Sequence, residues 1–368
     1  MWVMRLKPSM RSGKIRSCMT KPSIGINGFG RIGRLSFRVW WQFHRQDMNL
    51  LAINTSGSME LEDWFHLVKY DSSYGLFNEP IKITRHQSKK DVTDEDSVLG
   101  TVTIGEFKIT VTAQRDPLKI PWGQLGVETV IESTGAFRTA KTASAHLTAG
   151  AKAVILSAPA KGIGVGMSII GVNDSVLENG LISNASCTTN CVAPVVKVMH
   201  QAFGVQKAML TTIHAYTSDQ NLHDNSHKDL RRARAAAQNI IPTSTGAAQA
   251  TTQIVPELKD KFDGLAIRVP IATGSLADMV FVLDQDVTVD SVNQALTKAS
   301  QEKHWQGILA VTNEPIVSAD IIGRSESSIV DLSLTSVVGG NLVKVISWYD
   351  NEWGYCHRLL EQVLAISK

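Results

Sequence analysis

Ser23-Ile24-Gly25-Ile26-Asn27-Gly28-Phe29-Gly30-Arg31-Ile32-Gly33 is the stretch whose reading decides the fold. Residues 23–28 are short and apolar, the pattern of a buried strand, and residues 31–43 place Ile32, Leu35, Val39 and Phe43 at helical spacing. Between them Gly28, Gly30 and Gly33 form G-x-G-x-x-G. In such a turn the first glycine permits the tight bend, the second lets backbone approach a pyrophosphate, and the third lets helix pack on strand. The helix then offers free N–H groups and a positive dipole end to phosphate. Three glycines alone are equally compatible with ordinary turns. A second strand at residues 49–54 completes strand, turn, helix and strand, the order of a right-handed βαβ unit, and favours a dinucleotide.

Outward from this unit, apolar runs at 129–131 and 153–156 flank a Thr-Ala-rich helical stretch at 139–150, continuing the alternation of a doubly wound sheet. After Asn184 the texture changes. A helix is expected over 187–203, strands over 208–213, 265–269, 276–283 and 342–348, and helices over 289–299 and 351–366. Residues 216–239 lack apolar periodicity but carry Lys228, Arg231, Arg232 and Arg234, and loops of this length are usually functional. The expected fold class is α/β: a Rossmann-type doubly wound dinucleotide domain (23–186, completed by the terminal helix 352–368) plus an α+β catalytic domain (187–351) with a mostly antiparallel sheet.

The chain has 368 residues, a length that favours two domains over one. With 43% hydrophobic and 19% charged residues it can build a sizeable core, which excludes disorder as the main state. The net charge is +3, too small for a nucleic-acid or membrane-surface binder. Six of the cations lie in the first 22 residues, and no acid occurs before Asp47, so the rest of the chain has a balance of −3. Residues 1–22 read as a basic extension or an organellar address; they contain no apolar segment of the secretory kind. No run of eighteen apolar residues occurs, which argues against an ordinary membrane-spanning helix. Four cysteines, Cys18, Cys187, Cys191 and Cys356, make no disulfide framework and point to the reducing cytoplasm.

Cys187 stands where a strand hands over to a helix, in Ser186-Cys187-Thr188-Thr189-Asn190-Cys191. A helix N-terminus lowers the pKa of a thiol there, so Cys187 is a candidate nucleophile, with a small buried hydrophobe as the alternative and the preferred reading for Cys191. His214 ends the next strand and is a candidate base, although one among ten histidines. The short-spaced Cys and His ligands of a zinc site are missing, and no metal is expected. At the end of the second strand, where NAD sites carry an acid that repels a 2′-phosphate, the chain reads Asn54-Thr55-Ser56-Gly57-Ser58, with no acid until Glu60. NADP is therefore admissible and favoured over NAD; missing repulsion is not in itself recognition, and NAD bound through other groups stays open.

These segments together resemble the phosphorylating glyceraldehyde-3-phosphate dehydrogenases. The likeness runs from INGFGRIGR (26–34) through KYDSSYG, RDP, STGAF, SNASCTTNC, HAYTSDQ, HKDLRRARAAAQNIIPTSTGAA and RVP to SWYDNEWGY (347–355). It implies a Cys187 thioester with His214 as base, and a phosphorylated aldehyde and inorganic phosphate as substrates. One anion pocket would hold Thr217, Arg232 and Arg268, the other Ser186, Thr188, Thr245 and Gly246; Arg231 and Arg234 compete with Arg232. For the cofactor it implies Arg31 and Ile32 at the pyrophosphate, Arg115 and Ser157 near adenine and ribose, Thr134 along the cleft, and Asn351 at the carboxamide. NAD-specific relatives have Asp at Thr55 and commonly Pro at Ser226; serine at 226 resembles NADP-using forms, in which this loop comes from a neighbouring subunit of a homotetramer. Erythrose-4-phosphate dehydrogenase, whose acyl-enzyme is attacked by water, and a non-catalytic nucleotide- or RNA-binding relative remain the alternatives.

Overall fold

The computed structural model describes residues 21–367; most of the basic extension, with Cys18, lies outside them. Strand β1 (Ser23–Asn27) leads through the glycine turn into α1 (Arg31–Val39) and β2 (Asn49–Thr55). Helix α1 is shorter than its apolar spacing suggests, because the chain widens into a single π turn at Trp40–His44 that buries both tryptophans. Next come α2 (Leu61–Lys69), a small hairpin of β3 (Tyr70–Asp71) and β4 (Gly75–Leu76), then β5 (Lys82–Arg85), β6 (Val98–Ile104) and β7 (Phe107–Ala113). The first half ends with β8 (Thr129–Glu132), α3 (Ala140–Thr148), β9 (Ala153–Leu156), β10 (Gly166–Met167) and β11 (Leu181–Ser183).

Nine of these strands form one sheet in the order β10-β11-β9-β8-β1-β2-β7-β6-β5. Pairing is parallel from β10 to β7, and the chain steps outward from β1 first through β2 and β7, then back through β8, β9 and β11. The crevice between β1 and β8, where the direction of winding reverses, is where such sheets bind ligands. Strands β5 and β6 add an antiparallel edge that sequence reasoning missed. Its signal is present in the alternation of residues 98–104 and 107–113 about a two-residue turn containing Gly105, whose φ is +57°.

The second sheet follows α4 (Cys187–Phe203). It comprises β12 (Val205–Ala215), β13 (Ile241–Ser244), β14 (Phe262–Val269), β15 (Ser275–Leu283), β16 (Leu309–Thr312), β17 (Ser328–Asp331), β18 (Ser336–Val338) and β19 (Leu342–Tyr349). The order is β13-β14-β12-β15-β19-β17-β16, with β18 beside β19, and pairing is antiparallel except at β12/β14 and β16/β17. One face is covered by α4, α5 (Ala247–Ile254) and α6 (Val289–Gln301), whose apolar sides join the strands in a single core. The terminal helix α7 (Trp353–Ile366) returns to the first sheet: Tyr355, Leu359, Leu360 and Val363 share a core with β1, β2 and α1. Between Ala215 and Ile241 no helix or strand forms, as expected from its polar texture.

The three motif glycines are needed for different reasons. Gly28 has φ +90°, and a Cβ there would lie 2.7 Å from Thr134. At Gly33 a Cβ would lie 2.0 Å from the Gly28 carbonyl oxygen, whereas at Gly30 it would meet nothing within 4 Å. Gly33→Ala is therefore expected to lower the unfolding free energy by about 2–3 kcal/mol, because backbone itself must move. Gly30→Ala should keep stability within about 0.5 kcal/mol and weaken cofactor binding instead. Thermal melts and cofactor titrations of the two variants check this contrast; equal loss of stability in both would refute it.

Candidate active site

The site is built where the two sheets meet. Ser186 caps α4, its Oγ accepting from the Thr189 N–H at 3.1 Å, so Cys187 occupies the first helical position. The residue before the cap, Ala185, is buried with φ +50°, a left-handed conformation costing about 1–2 kcal/mol. It is held there by its N–H donating to Ser183 Oγ and by Tyr355 O–H donating to its carbonyl. Sequence reasoning did not single out this strained corner, which joins β11 to α4.

Register on the second sheet supplies the partners. His214 and Arg268 are cross-strand neighbours on β12 and β14, and Ser275 faces Tyr349 on β15 and β19. Cys187 Sγ lies 3.5 Å from His214 Nε2, and His214 Nδ1 lies 2.6 Å from the Ala215 carbonyl oxygen. A carbonyl can only accept, so Nδ1 carries the proton and Nε2 is left as a base facing the thiol. Burial pushes the imidazole down to about 3, and Arg268 and Arg232 add to this. It also pushes the thiol up, against the pull of the Arg268 charge. The hydrogen bonds at the start of α4 also pull the thiol down, as expected from sequence, but burial outweighs them. The 3.5 Å contact is the path by which a proton can pass from Sγ to Nε2, a step that would leave the net charge of the pocket unchanged. Cys187 keeps part of its surface open, while Cys191 and Cys356 are buried; burial pushes Cys191 up to about 12 and Cys356 higher still.

Arg268 donates through Nη1 to the Ala215 carbonyl and to Thr217 Oγ1, and its buried Nε has no partner among the described residues. An unpaired guanidinium N–H beside the thiol suits an anionic ligand. Arg232 is the loop arginine that joins it: Nε donates to Thr243 Oγ1, Nη2 to the Ser244 carbonyl and Nη1 to Asp219. Of its competitors, Arg234 pairs with Asp224 on the exposed surface and the Arg231 guanidinium reaches, among the described residues, the Pro242 carbonyl at 3.5 Å. Thr245 Oγ1 accepts from Ala247 N, and Gly246 opens α5 with free space on its Cβ side. Thr188 is buried, and its hydroxyl meets Tyr349 O–H at 2.9 Å instead of facing the open pocket. Tyr349 also meets Thr212 and sets its ring beside His214, a positioning role that sequence reasoning missed.

On the cofactor side, Asn27, Asn54 and Glu132 form a buried hydrogen-bonded chain across the ends of β1, β2 and β8. Glu132 receives the Thr134 N–H at 2.8 Å, and its carbonyl receives the Ser157 N–H at 2.9 Å, which fixes both along the crevice. The Arg31 guanidinium is taken by Asp71 and Glu352, so only the N–H groups of Arg31 and Ile32 remain for a pyrophosphate. Asn351 Oδ1 accepts from Ser275 Oγ and Gly274 N, leaving its NH₂ to meet a ligand. Thr55 differs from expectation: it is 1% exposed and its hydroxyl donates inward to the Thr112 carbonyl. The outward hydroxyls are those of Ser56 and Ser58, with Arg115 Nε on the Ser56 carbonyl. Among the described residues Ser226 bonds within its own exposed loop, to Asn225 and Asn221. The crevice thus fits a dinucleotide: Gly30 is open, the helix N–H groups are free, and the Asn351 amide is unspent.

A dinucleotide crevice opening onto a cysteine, a histidine base and paired arginines defines an aldehyde dehydrogenase that works through a cysteine adduct on a phosphorylated substrate. Residues 22–140 match the NAD binding domain of glyceraldehyde 3-phosphate dehydrogenase, and residues 186–351 match its C-terminal domain. The glyceraldehyde-3-phosphate dehydrogenase of Streptomyces coelicolor is 47% identical over 93% of this chain and 98% of its own, and that of Geobacillus stearothermophilus is 45% identical over 94% and 98%. The chloroplastic form B of Pisum sativum is 44% identical over 93% of this chain and 73% of its own. The chain belongs to the glyceraldehyde-3-phosphate dehydrogenase family. It is an NAD(P)-dependent oxidoreductase that interconverts glyceraldehyde 3-phosphate plus phosphate and 1,3-bisphosphoglycerate.

Proposed function

We propose that this enzyme uses NADP(H) in preference to NAD(H). The observation that carries the reading is the end of β2, where Ser56 and Ser58 expose hydroxyls and Glu60 is turned to Ser88 and the Lys89 N–H. No carboxylate opposes a 2′-phosphate there, and hydroxyls can donate to one. Ser226, on the exposed loop, supplies a further hydroxyl from a neighbouring subunit. In this reading Cys187 attacks the aldehyde and His214 takes the thiol proton and holds it at Nε2. The Cys187 N–H, free at the start of α4, stabilises the oxyanion. Bound nicotinamide supplies the hydride acceptor. Arg268, Arg232 and Thr217 hold one phosphate, and Ser186, Thr188, Thr245 and Gly246 the other, with Thr188 first releasing Tyr349.

Residues 23–186 and the helix 352–368 act as the dinucleotide domain, and 187–351 as the catalytic domain. The chain assembles as a homotetramer, as the family resemblance implies; the outer face of the second sheet carries a groove of about 1110 Å³ lined by Met209, Val280 and Leu342, and Cys187 is not among its lining residues. Exposed Met209, Leu265 and Leu342 suit burial against a second copy. None of the described helices is long and apolar enough to cross a membrane, and we place the enzyme in the cytoplasm. Steady-state kinetics of the purified protein with each cofactor, phosphate being varied, test the reading. A higher kcat/KM with NADP and strict phosphate dependence are expected. A ratio strongly favouring NAD sinks the cofactor assignment, and turnover independent of phosphate points to the water-using erythrose-4-phosphate reaction.

A further inference from the structure

The turn that follows β2 is met from outside by residues 86–97, the connection between β5 and β6, to which the sequence motifs assign no role. Lys89 Nζ donates to the Ser58 carbonyl at 2.6 Å, and Arg115 Nε donates to the Ser56 carbonyl at 3.2 Å. Two cations are thus anchored on carbonyls two residues apart, beside the exposed hydroxyls of Ser56 and Ser58, which lie 3.0 Å from each other. An ammonium has three N–H donors and a guanidinium five, so each keeps donors for a ligand. Three of the acids nearby have partners of their own. Glu60 accepts from Ser88 Oγ at 2.9 Å and from the Lys89 N–H at 3.2 Å, Asp96 faces His86 at 2.8 Å, and Asp94 pairs with Gln114 and Lys119. The same connection therefore both bonds the Glu60 carboxylate and delivers the Lys89 ammonium, whose charge also acts on Glu60.

We propose that Lys89 sets selectivity for the phosphorylated ribose, closing with Arg115 on the 2′-phosphate of NADP(H) above the Ser56–Ser58 turn. This rests on the reading of the enzyme as NADP-using. A 2′-phosphate brings charge and several acceptor oxygens to two cations with unused donors, whereas a 2′-hydroxyl brings neither. NAD therefore gains little from Lys89. The pair is open to solvent, so its contribution should fall with ionic strength.

Calorimetric titration of the full chain with NADP⁺, NAD⁺ and adenosine 2′,5′-bisphosphate, at low and high salt, tests the proposal on wild type, Lys89→Gln and Lys89→Arg. Lys89→Gln is expected to raise the Kd for NADP⁺ and for the bisphosphate about five- to tenfold at low salt and less at high salt. The Kd for NAD⁺ should move less than about twofold, and Lys89→Arg should restore most of the loss. If wild type prefers NADP⁺ and Lys89→Gln leaves that preference intact, the role of Lys89 is overturned and the cofactor reading stands. Equal weakening of NADP⁺ and NAD⁺ also overturns it, marking Lys89 as a brace of the turn. A wild type without preference for NADP⁺ overturns the cofactor reading and the role of Lys89 together.

Discussion

Cys187→Ser is expected to lower kcat by at least about 10⁴-fold while NAD(P) binding stays within about twofold. Serine keeps the first helical position and the Ser186 cap, so α4 should be undisturbed. What changes is the nucleophile. A hydroxyl loses its proton far less readily than a thiol, so the same imidazole meets a much poorer acid. An ester formed in its place would transfer to phosphate more slowly than a thioester does. Single-turnover measurement of cofactor reduction, with cofactor titration alongside, checks both halves. Residual turnover within tenfold of wild type would remove Cys187 from the chemistry.

His214→Asn is the second large effect, with an expected fall in kcat/KM of about 10²–10⁴-fold. Its sharper signature lies in pH. Burial pushes the Cys187 thiol up, and the charge of Arg268 only partly offsets this. In wild type Nε2 lies 3.5 Å away, and in the proposed mechanism it takes the proton, so that the thiol reacts without releasing it to water. Asparagine cannot accept it. The thiol must then ionise to solvent at its raised pKa, and the rate of alkylation by iodoacetamide should rise only at higher pH than in wild type. An unchanged alkylation profile would show that the thiol is activated by Arg268 and the helix alone. An Arg268→Gln variant should move the same profile upward by a smaller amount, because it removes charge but not the proton acceptor.

Much of the dinucleotide half was legible because its signals are local. The glycine spacing, the apolar strand before it and the helical period after it all fall within twenty-one residues, and β1, α1 and β2 form where that reading places them. The edge strands β5, β6 and β7 were passed over, although alternation about Gly105 marks the last two. Helix α4 is bounded as its pattern suggests, since its cap and its apolar face are both sequence-local. Arg232 could not be told from Arg231 and Arg234 along the chain, because three basic residues in one polar loop look alike. Only the fold shows that Arg232 reaches Thr243, Ser244 and Asp219.

Sequence by itself determined the class of fold, the order of its two halves and the family resemblance; Cys187 and His214 it offered as candidates, and the resemblance selected them. Strand and helix periods, glycine geometry and residue chemistry are properties of neighbouring residues and need no tertiary information. Tertiary structure decided the rest. Tyr349 meets Thr188 across 161 residues of chain, Lys89 meets Ser58 across 31, and the His214–Arg268 pairing exists only in the β12/β14 register. It also turned the Thr55 hydroxyl inward and set the thiol's environment, because direction and burial depend on what packs from distant segments. A pattern along the chain can nominate a nucleophile, but the field and the proton acceptor that make it react are assembled by contacts between strands far apart in sequence.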